Sequence, residues 1–251
     1  MLRYVGLLGM TLALFCSRAQ GADLPNIVFV LADDLGWNDV QIHGGKWPTP
    51  TLKQLRQDGV ELTQHYVAPV CSPTRASLLS GRYWSRFGVT TPTNERVFGD
   101  EVVTLPKALQ ACGYDTCLIG KWHLGSRPEW GPNRFGFKYA YGSLAGGVGP
   151  YRHAYKESPF SQTWHRNGEF IEEEGHVTDL LTAEATRYIA TQAHEPFFLY
   201  VPLTAVHLPI QEPEEWLKRA QYYGSTEMER QYCASVMHMD DAVGRIRAAL
   251  D

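Results

Sequence analysis

Asn26-Ile27-Val28-Phe29-Val30-Leu31-Ala32-Asp33-Asp34-Leu35-Gly36 is the stretch on which the fold turns. From Ile27 to Leu31 it is short, rich in β-branched residues and unbroken by polar ones, which fits a strand buried on both faces. Asp33, Asp34 and Gly36 then end it in a loop. A strand of this kind needs helices above and below it, so the rest of the chain should alternate strands with helices.

It does. Thr49-Pro50 supplies an N-cap and first-turn proline, Leu52 and Leu55 form one apolar face, and Gly59 stops the helix. Thr104 to Ala111 reads as a helix closed by Gly113, followed by a strand from Tyr114 to Ile119. Another helix starts at Thr178 and runs to about Gln192, and the proline-bounded run from Pro196 to Pro202 is a strand. Val236, Met239, Val243, Ile246 and Leu250 recur at helical spacing, with Asp240-Asp241 read as the solvated face of that helix. The expected fold is α/β, a mixed and largely parallel sheet with helices on both faces, whose ligands bind at the carboxyl ends of the strands. Between Gly125 and Gly175 the sequence is rich in Gly, Pro and aromatic residues without periodicity, and reads as excursions over the sheet edge.

With 251 residues, 44% hydrophobic and 20% charged, the chain can bury a sizeable core as one globular unit or most of one. A formal net charge of -4 gives no footprint for nucleic acid. Arg3, the apolar run from Tyr4 to Cys16 and the small residues Ala19, Gly21 and Ala22 form the pattern of a secretory signal peptide over residues 1–22, leaving 23–251 as the mature domain. The apolar run is shorter than the roughly 20 residues that cross a bilayer, so no stable membrane span is expected and the protein reads as secreted. Cys112 and Cys117 could pair in an oxidising compartment, or remain ordinary buried thiols.

Chemistry gathers in two runs. In Pro69-Val70-Cys71-Ser72-Pro73-Thr74-Arg75-Ala76-Ser77-Leu78-Leu79-Ser80-Gly81-Arg82 a loop enters a helix around Pro73. Residue 71 then lies at the positive end of a helix, where an anion is favoured. Arg75 follows one turn later and offers a guanidinium fork to the same spot. In Gly120-Lys121-Trp122-His123-Leu124-Gly125 a strand ends on a fixed cation and a titratable imidazole. Asp33 and Asp34 add two carboxylates, hard donors for a hard cation, and His207 follows the strand that begins at Pro196.

Both runs resemble the signatures of the type I sulfatases, and weaker agreements extend the resemblance from about Asn26 to the end of the chain. It implies an alkaline-phosphatase-like fold and oxidation of Cys71 to formylglycine by a formylglycine-generating or anaerobic sulfatase-maturating enzyme. It further implies a divalent ion, Ca²⁺ rather than Mg²⁺, on Asp33, Asp34 and residue 71, with Arg75 and Lys121 on sulfate oxygens, His123 beside the formylglycine and His207 at the leaving group. The substrate would be a sulfated small molecule or glycan. Phosphoester or phosphonate hydrolysis is the alternative within the same superfamily, and a catalytically inactive secreted protein is another. The family's later Asp-Asn or Asp-Gln pair and second lysine have no counterpart before Asp251. The resemblance therefore covers an N-terminal portion, expected to have an incomplete sheet with an open edge and little or no turnover by itself.

Overall fold

The computed structural model describes residues 24–155, 158–192 and 195–251. The expected leader, with Cys16, lies outside the described residues. Six strands form one sheet: β1 (Ile27–Leu31), β2 (Asp115–Lys121), β3 (Tyr139–Ser143), β4 (Trp164–Arg166), β5 (Glu169–Phe170) and β6 (Phe197–Pro202), in the order β1-β6-β2-β3-β4-β5. The pairs β1/β6, β6/β2 and β2/β3 are parallel, and β3/β4 and β4/β5 antiparallel. The α helices are α1 (Pro50–Asp58), α2 (Cys71–Ser80), α3 (Leu105–Ala111), α4 (Val177–Thr191), α5 (Glu214–Ala220) and α6 (Glu227–Ala248). No described helix is long and apolar enough to cross a membrane.

Alternation along β6 explains the two layers. Phe197, Leu199 and Val201 face one core cluster, with Leu181, Ala185 and Ile189 of α4 and Val236 and Met239 of α6. Phe198 and Tyr200 face the other, with Ala76 and Leu79 of α2. Because successive side chains of a strand point to opposite faces, an uninterrupted apolar run fills both cores at once. Each fully buried side chain of this size contributes about 1.5–3 kcal/mol of transfer free energy.

Several readings of the sequence are corrected. The stretch 125–175 holds β3, β4 and β5 and extends the sheet itself, so Tyr139, Tyr141 and Trp164 pack as strand side chains. Asp240 is buried at 2% exposure, and its carboxylate oxygens each accept from a backbone N–H at 2.9 Å, one from Thr51 and one from Leu52. It thereby caps α1 from across the fold, while the Thr49 hydroxyl accepts from the Gln41 N–H at 2.9 Å instead of capping its own helix. Of the two readings left open for Cys112 and Cys117, the structure has the unpaired one: both are free thiols, Cys112 exposed and Cys117 buried in the sheet. Helix α2 also starts at Cys71, two residues before the proline that marks its first turn.

Candidate active site

The parallel strands deliver the selected residues to one end of the sheet. Asp33 lies just past β1, Lys121 is the last residue of β2, and His207 follows β6. Backbone hydrogen bonds lock the first and last of these together: Asp33 N–H donates to the Ala205 carbonyl at 2.9 Å, and Val206 N–H to the Asp33 carbonyl at 2.7 Å. Gly120 brings β2 close to β6, since its φ is +144° and a side chain there would overlap the Pro202 carbonyl.

Beneath the surface Asp33 joins two cations. Lys121 Nζ is 2.5 Å from its Oδ2 and Arg75 Nη2 is 3.3 Å from its Oδ1, while Arg75 Nη1 donates to the Lys121 carbonyl at 2.6 Å. Arg75 and Lys121 are each 1% exposed and Asp33 3%. Burial by itself would raise the Asp33 carboxyl, but the charges of Arg75 and Lys121 outweigh it and hold it below the usual range. Burial lowers Lys121, partly offset by Asp33. Burial would also lower Arg75, and there Asp33 wins and raises it. Two buried cations against one carboxylate leave an excess of positive charge.

Above this group Cys71, the first residue of α2, shares an open cleft of about 1000 Å³ with His123, His207, Asn94 and Arg152. The Ser72 hydroxyl accepts from the Thr93 N–H at 3.0 Å and ties the start of the helix to the cleft wall. His123 is 4% exposed, has a φ of +56° and leaves Nδ1 buried without a hydrogen-bond partner. Burial, then the nearby charges of Lys121 and Arg75, push its pKa well below the ordinary value, so it stands as a neutral imidazole. His207 is more open, with Nε2 3.7 Å from Asp34 Oδ2. Asp34 itself is exposed, with a φ of +60°.

The seven selected residues thus gather in two contacting sets, Asp33/Arg75/Lys121 and Asp34/His207, with Cys71 and His123 on the cleft. Among the described residues Asp33, Asp34 and Cys71 do not place three donor atoms within 4.8 Å of one another; the cluster that does is His176, Asp179 and His238. Two positions escaped the sequence reading. Asn94 Oδ1 accepts from the Gly146 N–H at 3.0 Å and from the Ser126 hydroxyl at 2.7 Å, holding the loop after β3 against the cleft. Gly146 packs against the His123 ring so closely that a Cβ there would overlap it. The Gly146-Gly147 pair was the available signal, but nothing local ties it to His123.

Comparison with known proteins identifies the family. The family described as Sulfatase matches residues 25–251. Mouse arylsulfatase J is 33% identical over 92% of this chain and 40% of its own length. Mouse N-acetylgalactosamine-6-sulfatase is 35% identical over 90% of this chain and 47% of its own length. The crystal structure of Ps i-CgsB in complex with k-i-k-neocarrahexaose superposes with a TM-score of 0.84 at 30% identity, covering 91% of this chain and 55% of that one. The chain therefore spans about half the length of the curated relatives it matches. On the strength of a match along nearly the whole described chain, it belongs to the sulfatase family.

Proposed function

We propose that this chain carries the nucleophile-bearing half of a sulfuric ester hydrolase acting on a sulfated glycan, exported from the cell and matured at Cys71. The observation that carries the reading is the stacking of the site: Cys71, His123 and His207 on one cleft, above a buried Asp33/Arg75/Lys121 group of net positive charge. The glycan class draws on a relative named N-acetylgalactosamine-6-sulfatase, on a matched structure in complex with k-i-k-neocarrahexaose, and on a cleft open enough for a sugar chain.

Formylglycine made from Cys71 would supply a geminal diol, one hydroxyl for attack at sulfur and the other for later release of sulfate. Arg75 and Lys121 would hold sulfate oxygens and stabilise the charge that grows on them. Their own positions are fixed by Asp33, and Arg75 Nε, buried without a hydrogen-bond partner, is the guanidinium donor left for the ester. His123, kept neutral by burial, would accept a proton on the cleft side. His207, at the open mouth, would give one to the departing oxygen. Asp33 and Asp34 are the hard oxygen donors suited to Ca²⁺, and two carboxylates are a partial set against the 6–8 oxygens it takes. Such an ion would polarise a sulfate oxygen.

The test is coexpression with a formylglycine-generating enzyme, mass measurement of the Cys71 peptide, and assay against paired aryl sulfate and aryl phosphate. Conversion of Cys71 with selective binding or cleavage of the sulfate is expected. Lys121→Ala should reduce any turnover by about 10²–10³-fold. An unmodified thiol, or preference for phosphate, would reject the reading.

A further inference from the structure

A second constellation of ligating side chains lies apart from Cys71, built by three elements. His176 caps the start of α4 and Asp179 follows in its first turn; Glu212 comes from the loop between β6 and α5; His238 projects from the middle of α6. His238 Nδ1 is 2.8 Å from Glu212 Oε2, and its Nε2 is 3.4 Å from Asp179 Oδ1. His176 Nε2 is fully buried without a hydrogen-bond partner, 3.9 Å from Glu212 Oε2. One donor atom from each of His176, Asp179 and His238 falls within 4.8 Å of the other two. Trp216 stacks on His238 at 4.9 Å and fixes the ring's plane.

We propose that His176, Asp179 and His238 bind a divalent transition ion of the zinc class, with Glu212 orienting His238 through Nδ1. The donor set decides the class: two imidazoles and one carboxylate suit zinc, whereas calcium takes oxygen alone. The 3.4 Å between His238 Nε2 and Asp179 Oδ1 matches the edge of about 3.3–3.4 Å in a tetrahedron of 2.0–2.1 Å bonds. A carboxylate on the remote nitrogen is the usual support of a metal-bound histidine, because it fixes the tautomer and raises the ring's basicity. An ion pair of His238 with its two carboxylates would leave the buried His176 nitrogen unexplained; an ion gives it a partner. Ligation needs the ring hydrogen of His176 on Nδ1, so the long 3.3 Å contact from the Thr178 N–H is given up. Arg245 Nη1 is 3.1 Å from Asp179 Oδ1, on the half-exposed side of the cluster.

A small cavity of about 20 Å³, lined by His176, Glu212 and Ser235, offers room for a water as fourth ligand. Asp33, Lys121 and His207 line the same cavity. Bound there, the ion would pin α4 to α6 and, through Glu212, steady the loop that carries His207. The site rests on its own residues and stands independently of the sulfate-ester reading.

Calorimetric titration of the full chain, stripped with EDTA, with Zn²⁺ tests this, together with melting curves with and without the ion. One zinc is expected per chain, raising the melting temperature. His176→Gln should weaken binding on the order of 100-fold or more and abolish the melting shift, and Glu212→Gln should weaken it by about 10–100-fold. Asp34→Asn should leave it unchanged. His176→Gln carries the decision even if a His238 variant fails to fold, since the His176 Nε2 gives up no partner. No zinc binding by the native chain, or native affinity in folded His176→Gln, overturns the proposal.

Discussion

Gly146 has no chemistry of its own, yet it sets where His123 sits. A methyl group there would overlap the imidazole, and the loop cannot retreat freely because Asn94 holds the Gly146 N–H. Gly146→Ala should therefore displace the ring and lower kcat by about 10²-fold, the cost of misplacing a reacting group by about an ångström. The global fold, followed by circular dichroism, should be retained; unchanged kcat in a sulfatase-active preparation would show that the ring does not need this position. The contrast between Gly146 and Cys71 marks what residue-level reading achieves. Cys71, Arg75, Lys121 and His123 announce themselves because helix start and strand end put reactive groups at fixed short spacings. Gly146 and Asn94 act by leaving or filling space beside residues far away in the chain, and spacing carries no trace of that.

Helix boundaries were legible to within a residue or two where apolar periodicity, proline and glycine coincide, as at Pro50, Gly59 and Gly113. Their caps were not. Thr49 reads as an N-cap and Thr104 and Thr178 as first residues of their helices, but Thr49 accepts from Gln41, the Thr104 hydroxyl donates to the Phe135 carbonyl, and the cap of α4 is His176. A hydroxyl beside a helix start has several partners to choose from, and tertiary packing does the choosing. The replacement cap of α1 comes from Asp240, whose carboxylate serves two N–H groups that would otherwise be left without partners. Asp240→Ala should cost about 1–2 kcal/mol, measured as a lower denaturation midpoint at unchanged slope. A surface-like change of less than about 0.5 kcal/mol would mean that water replaces the cap.

Across the whole molecule, acid stability should depend on Glu184 of α4, which clamps the helix to the sheet. It takes Arg166 Nη1 at 2.7 Å and Arg187 Nε at 3.0 Å, with the Tyr139 hydroxyl also donating to it. Burial would raise this carboxyl, but the hydrogen bonds from Arg187 and Tyr139 and the charge of Arg166 bring it below the ordinary glutamate value of 4.5. A carboxyl depressed in the folded state stabilises fully above its unfolded pKa, and that contribution disappears as pH falls through the folded value. Glu184→Gln should thus lose stability at neutral pH and converge with the native chain in acid below 4.5; parallel curves across that range would refute it. Alternation of strands and helices made the layered sheet readable in advance. The strands between residues 139 and 170 were not, because a short strand at a sheet's antiparallel margin carries too few residues for a period to emerge.

Strand order also sets a clock. Among the described residues β1 pairs with β6 alone, Ile27 beside Phe198, and His207 stands 136 positions after Cys71. At a synthesis rate of about 5–20 residues per second, roughly 7–27 s separate the making of Cys71 from that of His207. During that interval the strand leading to Asp33 lacks β6, the partner it has in the folded sheet. Anything that must reach the Cys71 thiol on an unfolded chain has those seconds before the sheet closes around it.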